Sequence, residues 1–171
     1  MKTMARAAAL VACCWFPAVA AGAIARKPGL WEVRTSIEGS KSPARMVRQC
    51  IDAGTDRMLQ SSAGPFDPSA CQERNVQKSA QATTMDFTCT VGGKPATAHT
   101  VASGNFDNAY TMTVTAESPA LPGGRMVMSM DAKWLGPCAA DQRPGDIVLS
   151  NGARMNILDM RKNSATAPSP R

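Results

Sequence analysis

The clearest pattern along this sequence is an alternation of apolar and polar residues in two long stretches of its second half. In residues 110–117 every second residue is apolar, and the residues between are threonines and a glutamate. The same alternation runs from Met126 to Trp134, with Val127 as its one interruption. A period of two is typical of antiparallel strands that bury one face. The pattern therefore predicts two such strands, with a methionine-rich face turned inward.

Other short segments with apolar and β-branched residues predict further strands, because clusters of glycine, proline, serine and asparagine separate them. A short helix is predicted over residues 52–61, with Asp52 or Thr55 as its N-cap. These elements predict an all-β fold, a curved antiparallel meander or open barrel of about seven strands with one short helix. The predicted strands cover residues 30–37, 45–51, 71–78, 83–91, 96–103, 110–117 and 126–134.

The pattern changes after Cys138. Residues 146–158 hold the dipeptide Asn151-Gly152 between apolar residues, and this dipeptide favours a two-residue hairpin turn. Residues 164–171 are polar and proline-containing, which predicts a disordered end. The sequence therefore divides into a leader, a β domain and a C-terminal extension, over residues 1–25, 26–138 and 139–171.

The first 25 residues have the features of a secretory signal peptide. Lys2 and Arg6 form a short positive segment, and an alanine-rich apolar run over residues 7–20 follows it. This run is too short and too rich in alanine for a membrane anchor. The sequence therefore predicts export to the periplasm and a mature chain without a transmembrane helix. Small residues two positions apart offer cleavage after three residues, Ala20, Ala23 and Ala25.

Residues 10–13 also fit a second kind of leader, the bacterial lipoprotein signal, in which Cys13 becomes the lipidated N-terminus. The apolar stretch before Cys13 is shorter than the roughly seven residues that leaders usually have. The apolar run also continues past Cys13 to the other cleavage sites. Lipidation at Cys13 is therefore the minor alternative.

Four cysteines follow the leader, and an even number in an exported chain predicts two disulfides. A hairpin turn centred near residue 80 places Cys71 opposite Cys89, within bonding range across two strands. Cys50 and Cys138 then form the second pair. The same register puts Glu73 and Asn75 on the face of Phe87 and Met85, so the hairpin is either bulged or only half buried on that face. The predicted pairs are Cys71–Cys89 and Cys50–Cys138.

The charge pattern does not indicate a nucleic-acid partner. The formal net charge is +6, but the basic residues are scattered and aromatic residues make up only 5% of the chain. Proteins that bind nucleic acids combine a basic stripe with stacking aromatic side chains. We therefore expect no nucleic-acid partner.

The sequence contains no clear arrangement of catalytic residues. His99 is the only histidine, and no Gly-x-Ser-x-Gly turn accompanies it, so no nucleophilic triad is indicated. Paired carboxylates hydrolyse sugars in many enzymes, but most carboxylates here lie on the polar side of predicted strands. We expect no enzymatic activity, no catalytic residue and no cofactor, and a carboxylate-based hydrolase is the least favoured alternative. Its candidate residues are Asp86, Asp107, Glu117, Asp131 and Asp141.

The methionines offer the strongest candidate site. The alternation places a set of methionines and a tryptophan on one sheet face, which suits an apolar ligand because methionine adapts to varied partners. Soft thioethers also hold Cu(I), so Met126, Met128 and Met130 form an alternative copper site. The packing of an ordinary core explains the same stripe. The candidate ligand face consists of Met112, Met126, Met128, Met130 and Trp134.

A family resemblance spans roughly residues 27–138. It is carried by KPGLWEV at 27–33, QCI at 49–51, Cys71, FTC at 87–89, PGGRMVMSM at 122–130 and WLGPC at 134–138. In this order the segments resemble an uncharacterised exported family of Gram-negative bacteria, catalogued as domain of unknown function 3617. The resemblance implies a periplasmic, β-rich domain with four ordered cysteines, and it implies no reaction and no catalytic residues.

The sequence as a whole predicts a non-enzymatic protein of the cell envelope. We expect it to bind an apolar ligand or an envelope protein through one face of its sheet. The first alternative is a periplasmic Cu(I)-binding module that uses the methionine cluster. The second, less favoured, is the carboxylate-based hydrolase.

Overall fold

A single antiparallel sheet organises the computed structural model of the protein, which describes residues 24–62 and 65–166. Two α-helices accompany the sheet. The strands are β1 (Gly29–Ile37), β2 (Arg45–Ile51), β3 (Cys71–Lys78), β4 (Ala82–Val91), β5 (Lys94–Asn105), β6 (Ala109–Glu117), β7 (Arg125–Gly136), β8 (Asp146–Leu149) and β9 (Arg154–Asn156). The helices are α1 (Ala53–Ser62) and α2 (Ile157–Thr166).

The sheet is open and has two edges. Its strand order is β3-β4-β5-β6-β7-β1-β2-β8-β9, and all the neighbouring strands are antiparallel. Strands β3 to β7 form a meander, and β1 then pairs with β7. The structure confirms the predicted all-β antiparallel fold, and the sheet does not close into a barrel. Across residues 24–62 and 65–166 it has nine strands rather than about seven, because the C-terminal extension adds two.

The C-terminal extension continues the same sheet. Strand β8 pairs with β2, and β9 pairs with β8 in the hairpin that Asn151-Gly152 predicts. The expectation of a disordered end over residues 164–171 is wrong for residues 164–166, which belong to α2. The Asn156 side chain accepts a hydrogen bond from the Leu158 backbone nitrogen at 2.9 Å and so caps this helix. Residues 167–171 lie outside the described part of the chain.

A β-bulge resolves the conflict in the register of the β3–β4 hairpin. Cys71 lies opposite Cys89, but the register shifts between Glu73 and Asn75. After the shift Val76, rather than Asn75, is the partner of Met85. One extra residue in a strand reverses which side chains face inward. The bulged alternative is therefore the one that the structure adopts, and it returns an apolar residue to the buried face.

The core lies on one face of the sheet, called the inner face below. Cross-strand pairs place Trp31 beside Trp134 and Val33 beside Ala132 on this face. Trp31 is completely buried and packs in one cluster with Leu59 of α1 and with Ile157 of α2. Both helices therefore cover the inner face at the end of the sheet near β1 and β2.

Both disulfides have the pairing that the sequence predicts, Cys50–Cys138 and Cys71–Cys89. The first ties β2 to the segment after β7, and the second joins the ends of β3 and β4. Within the described residues, neither helix has the length and the apolar character that a membrane crossing needs. The predicted signal peptide and the alternative lipidation site at Cys13 fall within residues 1–25, of which the structure describes only Ile24 and Ala25.

Candidate functional site

A cleft of about 500 Å³ opens between the inner face of the sheet and the segment formed by α1, Pro65 and Phe66. Its floor is apolar and comes from β4, β5, β6 and β7. Pockets of about 300–1,000 Å³ with apolar walls and a few polar groups are typical binding sites for small molecules. The apolar lining residues include Ile24, Val33, Leu59, Pro65, Phe66, Met85, Phe87, Ala98, Met112, Val114 and Met130.

Strand β5 creates the room for this cleft. Its inner positions carry only small residues, Ala96, Ala98, Thr100 and Ala102, between the larger side chains of β4 and β6. Phe87 is the partner of Ala98 on one side, and Val114 is the partner of Thr100 on the other. A row of small side chains between two rows of large ones forms a trough along the sheet, and the cleft lies over this trough.

Arg26, Gln49 and Gln60 form the polar wall of the cleft, and a buried ion pair with Asp56 holds Arg26 in place. Arg26 Nε lies 2.6 Å from Asp56 Oδ1, and the side chains of both residues are only 3% exposed. Gln60 Nε2 donates to Asp56 Oδ2 at 2.8 Å, and Arg26 Nη1 donates to Gln49 Oε1 at 3.1 Å. A buried charge requires such partners. The pair fixes α1, which carries Asp56, against the segment that precedes β1.

Tyr110, on strand β6, adds a hydroxyl group to the polar wall of the cleft. Its hydroxyl oxygen lies 3.5 Å from Arg26 Nη1, and its ring stacks at an angle against Trp31 with 5.7 Å between ring centroids. Burial raises the pKa of Tyr110 above its ordinary value, although the positive charge of Arg26 acts in the opposite direction. Tyr110 therefore stays neutral and can offer its hydroxyl as a hydrogen-bonding group.

Arg57 supplies the second charge of the cleft. It is exposed and lines the cleft from α1, one residue after Asp56. No carboxylate among the side chains that the structure describes forms an ion pair with it. Among the described side chains, the charged residues that line the cleft are Arg26 and Arg57, both positive, and Asp56 balances the charge of Arg26.

Two of the five residues of the candidate ligand face line the cleft, and the other three do not. All five predicted residues lie on the inner face by register, and Met112 and Met130 line the cleft. Met128 is 7% exposed and packs with Ala98 and Val114, so it belongs to the core. Met126 is half-buried near the start of β7. Trp134 lies outside the cleft lining, with its Nε1 donating to Pro28 O at 3.2 Å and Lys27 Nζ 3.8 Å from its ring centroid.

The alternative sites receive no new support. Met126, Met128 and Met130 share a face, and the copper site that they suggest stays a prediction. Among the described residues, no group of three or more histidines, cysteines, aspartates and glutamates could hold a metal ion. The hydrolase candidates Asp86, Asp107, Glu117, Asp131 and Asp141 do not line the cleft.

Asp86 instead forms a pair with His99 on the outer face, with 2.6 Å between Oδ1 and Nδ1. The His99 side chain is 52% exposed. Asp141 pairs with Arg154 at 2.7 Å, and hydrogen bonding and charge from Arg154 lower the pKa of Asp141. These carboxylates are thus engaged in surface contacts, apart from the cleft.

A second depression, of about 580 Å³, lies over the outer face of β1, β5, β6 and β7. Its charged side chains alternate in sign, since Glu32 is the partner of Lys133 and Arg34 is the partner of Asp131. Opposite charges in register neutralise one another across the strands. The charged residues of this depression therefore balance, with two of each sign.

Comparison with known proteins gives one match. A family model described as "Protein of unknown function (DUF3617)" matches residues 26–138. Neither a curated protein nor a solved structure matches the chain significantly.

Proposed function

The chain belongs to the DUF3617 family of proteins of unknown function, and we propose that it binds the apolar chain of a negatively charged amphiphile in the cleft beneath α1. The proposed ligand is a fatty acid or a single-chain lipid with an anionic head group. The observation that carries the proposal is the combination of an apolar floor with two arginines, Arg26 and Arg57, among the described side chains of the lining.

The apolar floor supports binding of a hydrocarbon chain. Burying apolar surface contributes about 25 cal/mol per Å² that is removed from water. Met85, Met112 and Met130 are unbranched and flexible, so they adapt to chains of different length and shape. Phe66 and Phe87 add flat apolar walls, Phe66 from the segment after α1 and Phe87 from β4.

The arginines support an anionic head group. Arg57 has no ion-pair partner among the described side chains, and its planar guanidinium matches a carboxylate or a phosphate with two parallel hydrogen bonds. Arg26 remains fixed by Asp56 and directs its Nη1 toward Gln49 and Tyr110. A head group at Arg57 leaves the chain directed toward the floor of the cleft.

The proposed location is the periplasm. The leader-like sequence of residues 1–25 and the two disulfides support it, because disulfides persist mainly in oxidising compartments. We propose that the protein acts there by binding rather than by catalysis. Envelope lipids and fatty acids of the periplasm would supply the ligand.

The test compares two substitutions on neighbouring residues of β5. Ala98→Phe fills the cleft, whereas Thr97→Phe places the same ring on the exposed outer face. A fluorescent fatty acid is titrated into each protein. We expect at least a tenfold loss of affinity for A98F, about 1.4 kcal/mol, and an unchanged affinity for T97F.

Replacing the ligand separates the two parts of the proposal. A fatty alcohol of the same length retains the apolar chain and lacks the negative charge, so it should bind more weakly than the acid. Equal loss of affinity in A98F and T97F would contradict binding in the cleft. Equal affinity for acid and alcohol would contradict the role of Arg57.

A further inference from the structure

Arg26 is held at its backbone nitrogen as well as at its side chain. The backbone nitrogen donates to Asp56 Oδ2 at 3.0 Å, while Nε donates to Asp56 Oδ1 at 2.6 Å. Arg26 is 6% exposed and Asp56 is 2% exposed. One buried carboxylate thus binds a single residue twice, once through the main chain.

The main chain that follows Arg26 is anchored as well. Lys27 N donates to Phe106 O at 3.0 Å, and Lys27 O accepts a hydrogen bond from Trp31 Nε1 at 2.8 Å. The family model begins at residue 26 as well. The shared fold therefore starts at the residue whose backbone nitrogen meets Asp56, and the residue before it, Ala25, is exposed.

We propose that the Ala25–Arg26 peptide bond is the maturation site, and that cleavage there creates an N-terminal ammonium group which pairs with Asp56. The inference rests on the proposed export. A signal peptidase recognises small residues two positions apart, as Ala23 and Ala25 are. It adds water across the bond: the C–N bond breaks, Ala25 leaves with a carboxylate, and Arg26 keeps an amino group that takes up a proton.

Cleavage at this bond changes the donor that faces Asp56. An amide N–H is neutral and has one hydrogen, whereas an ammonium group has three and carries a full charge. Charge-assisted hydrogen bonds are roughly twice as strong as neutral ones. Cleavage after Ala20 or Ala23 would leave a neutral amide at this place. The geometry therefore favours, among the three cleavage sites that the sequence offers, the one after Ala25, at which the sequence analysis ends the leader.

The same cleavage alters the cleft. Ile24 lines the cleft, and its carbonyl oxygen accepts a hydrogen bond from Gln60 Nε2. Removing Ile24 opens the cleft beside its polar wall. The new ammonium group gives that wall two positive charges at Arg26 against the one negative charge of Asp56. The mature chain should therefore bind an anionic amphiphile more tightly than a chain that keeps Ile24.

The first experiment determines the N-terminus. The full-length chain is produced with its own leader in a Gram-negative host, purified from the periplasm, and analysed by intact mass and N-terminal peptide mapping. We expect a chain that begins at Arg26. A chain that begins at Ala21 or Ile24 overturns the inference and leaves export intact. A chain that stays in the cytoplasm and retains residues 1–25 overturns the proposed export itself.

The second experiment tests the ion pair. Two chains are prepared, one beginning at Arg26 and one at Ile24, each with and without Asp56→Asn. The substitution should lower the melting temperature more in the chain that begins at Arg26, by roughly 3–6 °C. Equal losses in both chains overturn the inference.

A labelling measurement covers the case in which the D56N chains do not fold. Both chains with Asp56 are treated with an amine-reactive ester, and the rate of N-terminal modification is followed by peptide mapping. Because the ammonium group of Arg26 is paired, it should react at least about tenfold more slowly than that of Ile24. Equal rates overturn the inference.

Discussion

At the scale of single residues, Asp52 determines where α1 begins. Its Oδ1 accepts hydrogen bonds from the backbone nitrogens of Thr55 at 2.8 Å and Gly54 at 3.0 Å. These bonds, led by that from the Thr55 backbone, lower the pKa of Asp52 below 3.8. Asp52 is therefore the N-cap, rather than Thr55, and it positions the helix that carries Leu59 over the cleft.

We expect Asp52→Ala to lower the free energy of unfolding by about 1 kcal/mol, the usual cost of losing an N-cap. Urea unfolding at neutral pH measures this value, with Asp107→Ala in an exposed turn as the control. Because the folded pKa of Asp52 is lowered, its contribution is complete above pH 3.8 and is lost as the pH falls through the lowered pKa. A difference between the native chain and D52A that does not narrow in acid would contradict this account.

Tyr110 offers a second measurement at this scale, because it is the only tyrosine of the chain. Burial raises its pKa above 10.0 despite the charge of Arg26. We expect an absorbance titration of the folded protein to reach its midpoint above that of the urea-unfolded chain. A midpoint equal to or below that of the unfolded chain would show that the polar wall is open to water.

Residues of the site differ in how far the sequence predicts them. The alternation assigns Met112 and Met130 to the inner face, because local period determines the face of a strand. Arg26 and Asp56 form no local motif and meet only in the folded chain, 30 residues apart. No pattern in the sequence indicates such a pair.

At the scale of elements, the inner face could be predicted but the cleft could not. The depth of the cleft depends on the small residues of β5 and on the separation between that strand and α1. Residues 96–103 alternate, but their small side chains predict only a weak strand. The bulge in β3 follows from a conflict visible in the sequence, since the simple register buries Asn75. The sequence does not predict helix α2, because its capping residue Asn156 is a weak signal next to a polar, proline-containing end.

The two disulfides should contribute unequally to the stability of the protein. Cys50–Cys138 closes a sequence separation of 88 residues and Cys71–Cys89 one of 18. In the chain-entropy description these loops correspond to about 4.5 and 3 kcal/mol. Replacing the first pair by alanine should therefore destabilise the protein more than replacing the second. Urea unfolding of the two double variants measures the order, and the reverse order would contradict it.

At the scale of the whole molecule, the sheet joins segments that are distant in the chain. The hairpins from β3 to β7 connect neighbours, and the sequence predicts them from turns and alternation. The pairing of β1 with β7 brings Trp31 beside Trp134, and that of β2 with β8 incorporates the extension. Local sequence patterns carry no information on these two pairings. The order of the strands in the sheet is therefore visible only in the structure. In the resulting open sheet both helices pack on the inner face near β1 and β2, and the cleft lies between α1 and the part of that face formed by β4 to β7.

The most direct test of the proposed function is a crystal structure of the protein with a fatty acid brominated at its terminal carbon. Anomalous scattering from bromine locates the end of the chain without reference to a model of the ligand. We predict a bromine peak over the floor of the cleft, between Phe87 and Met112, with the carboxylate at Arg57. A peak confined to the outer face, or a cleft without bromine at saturating ligand, would contradict the account.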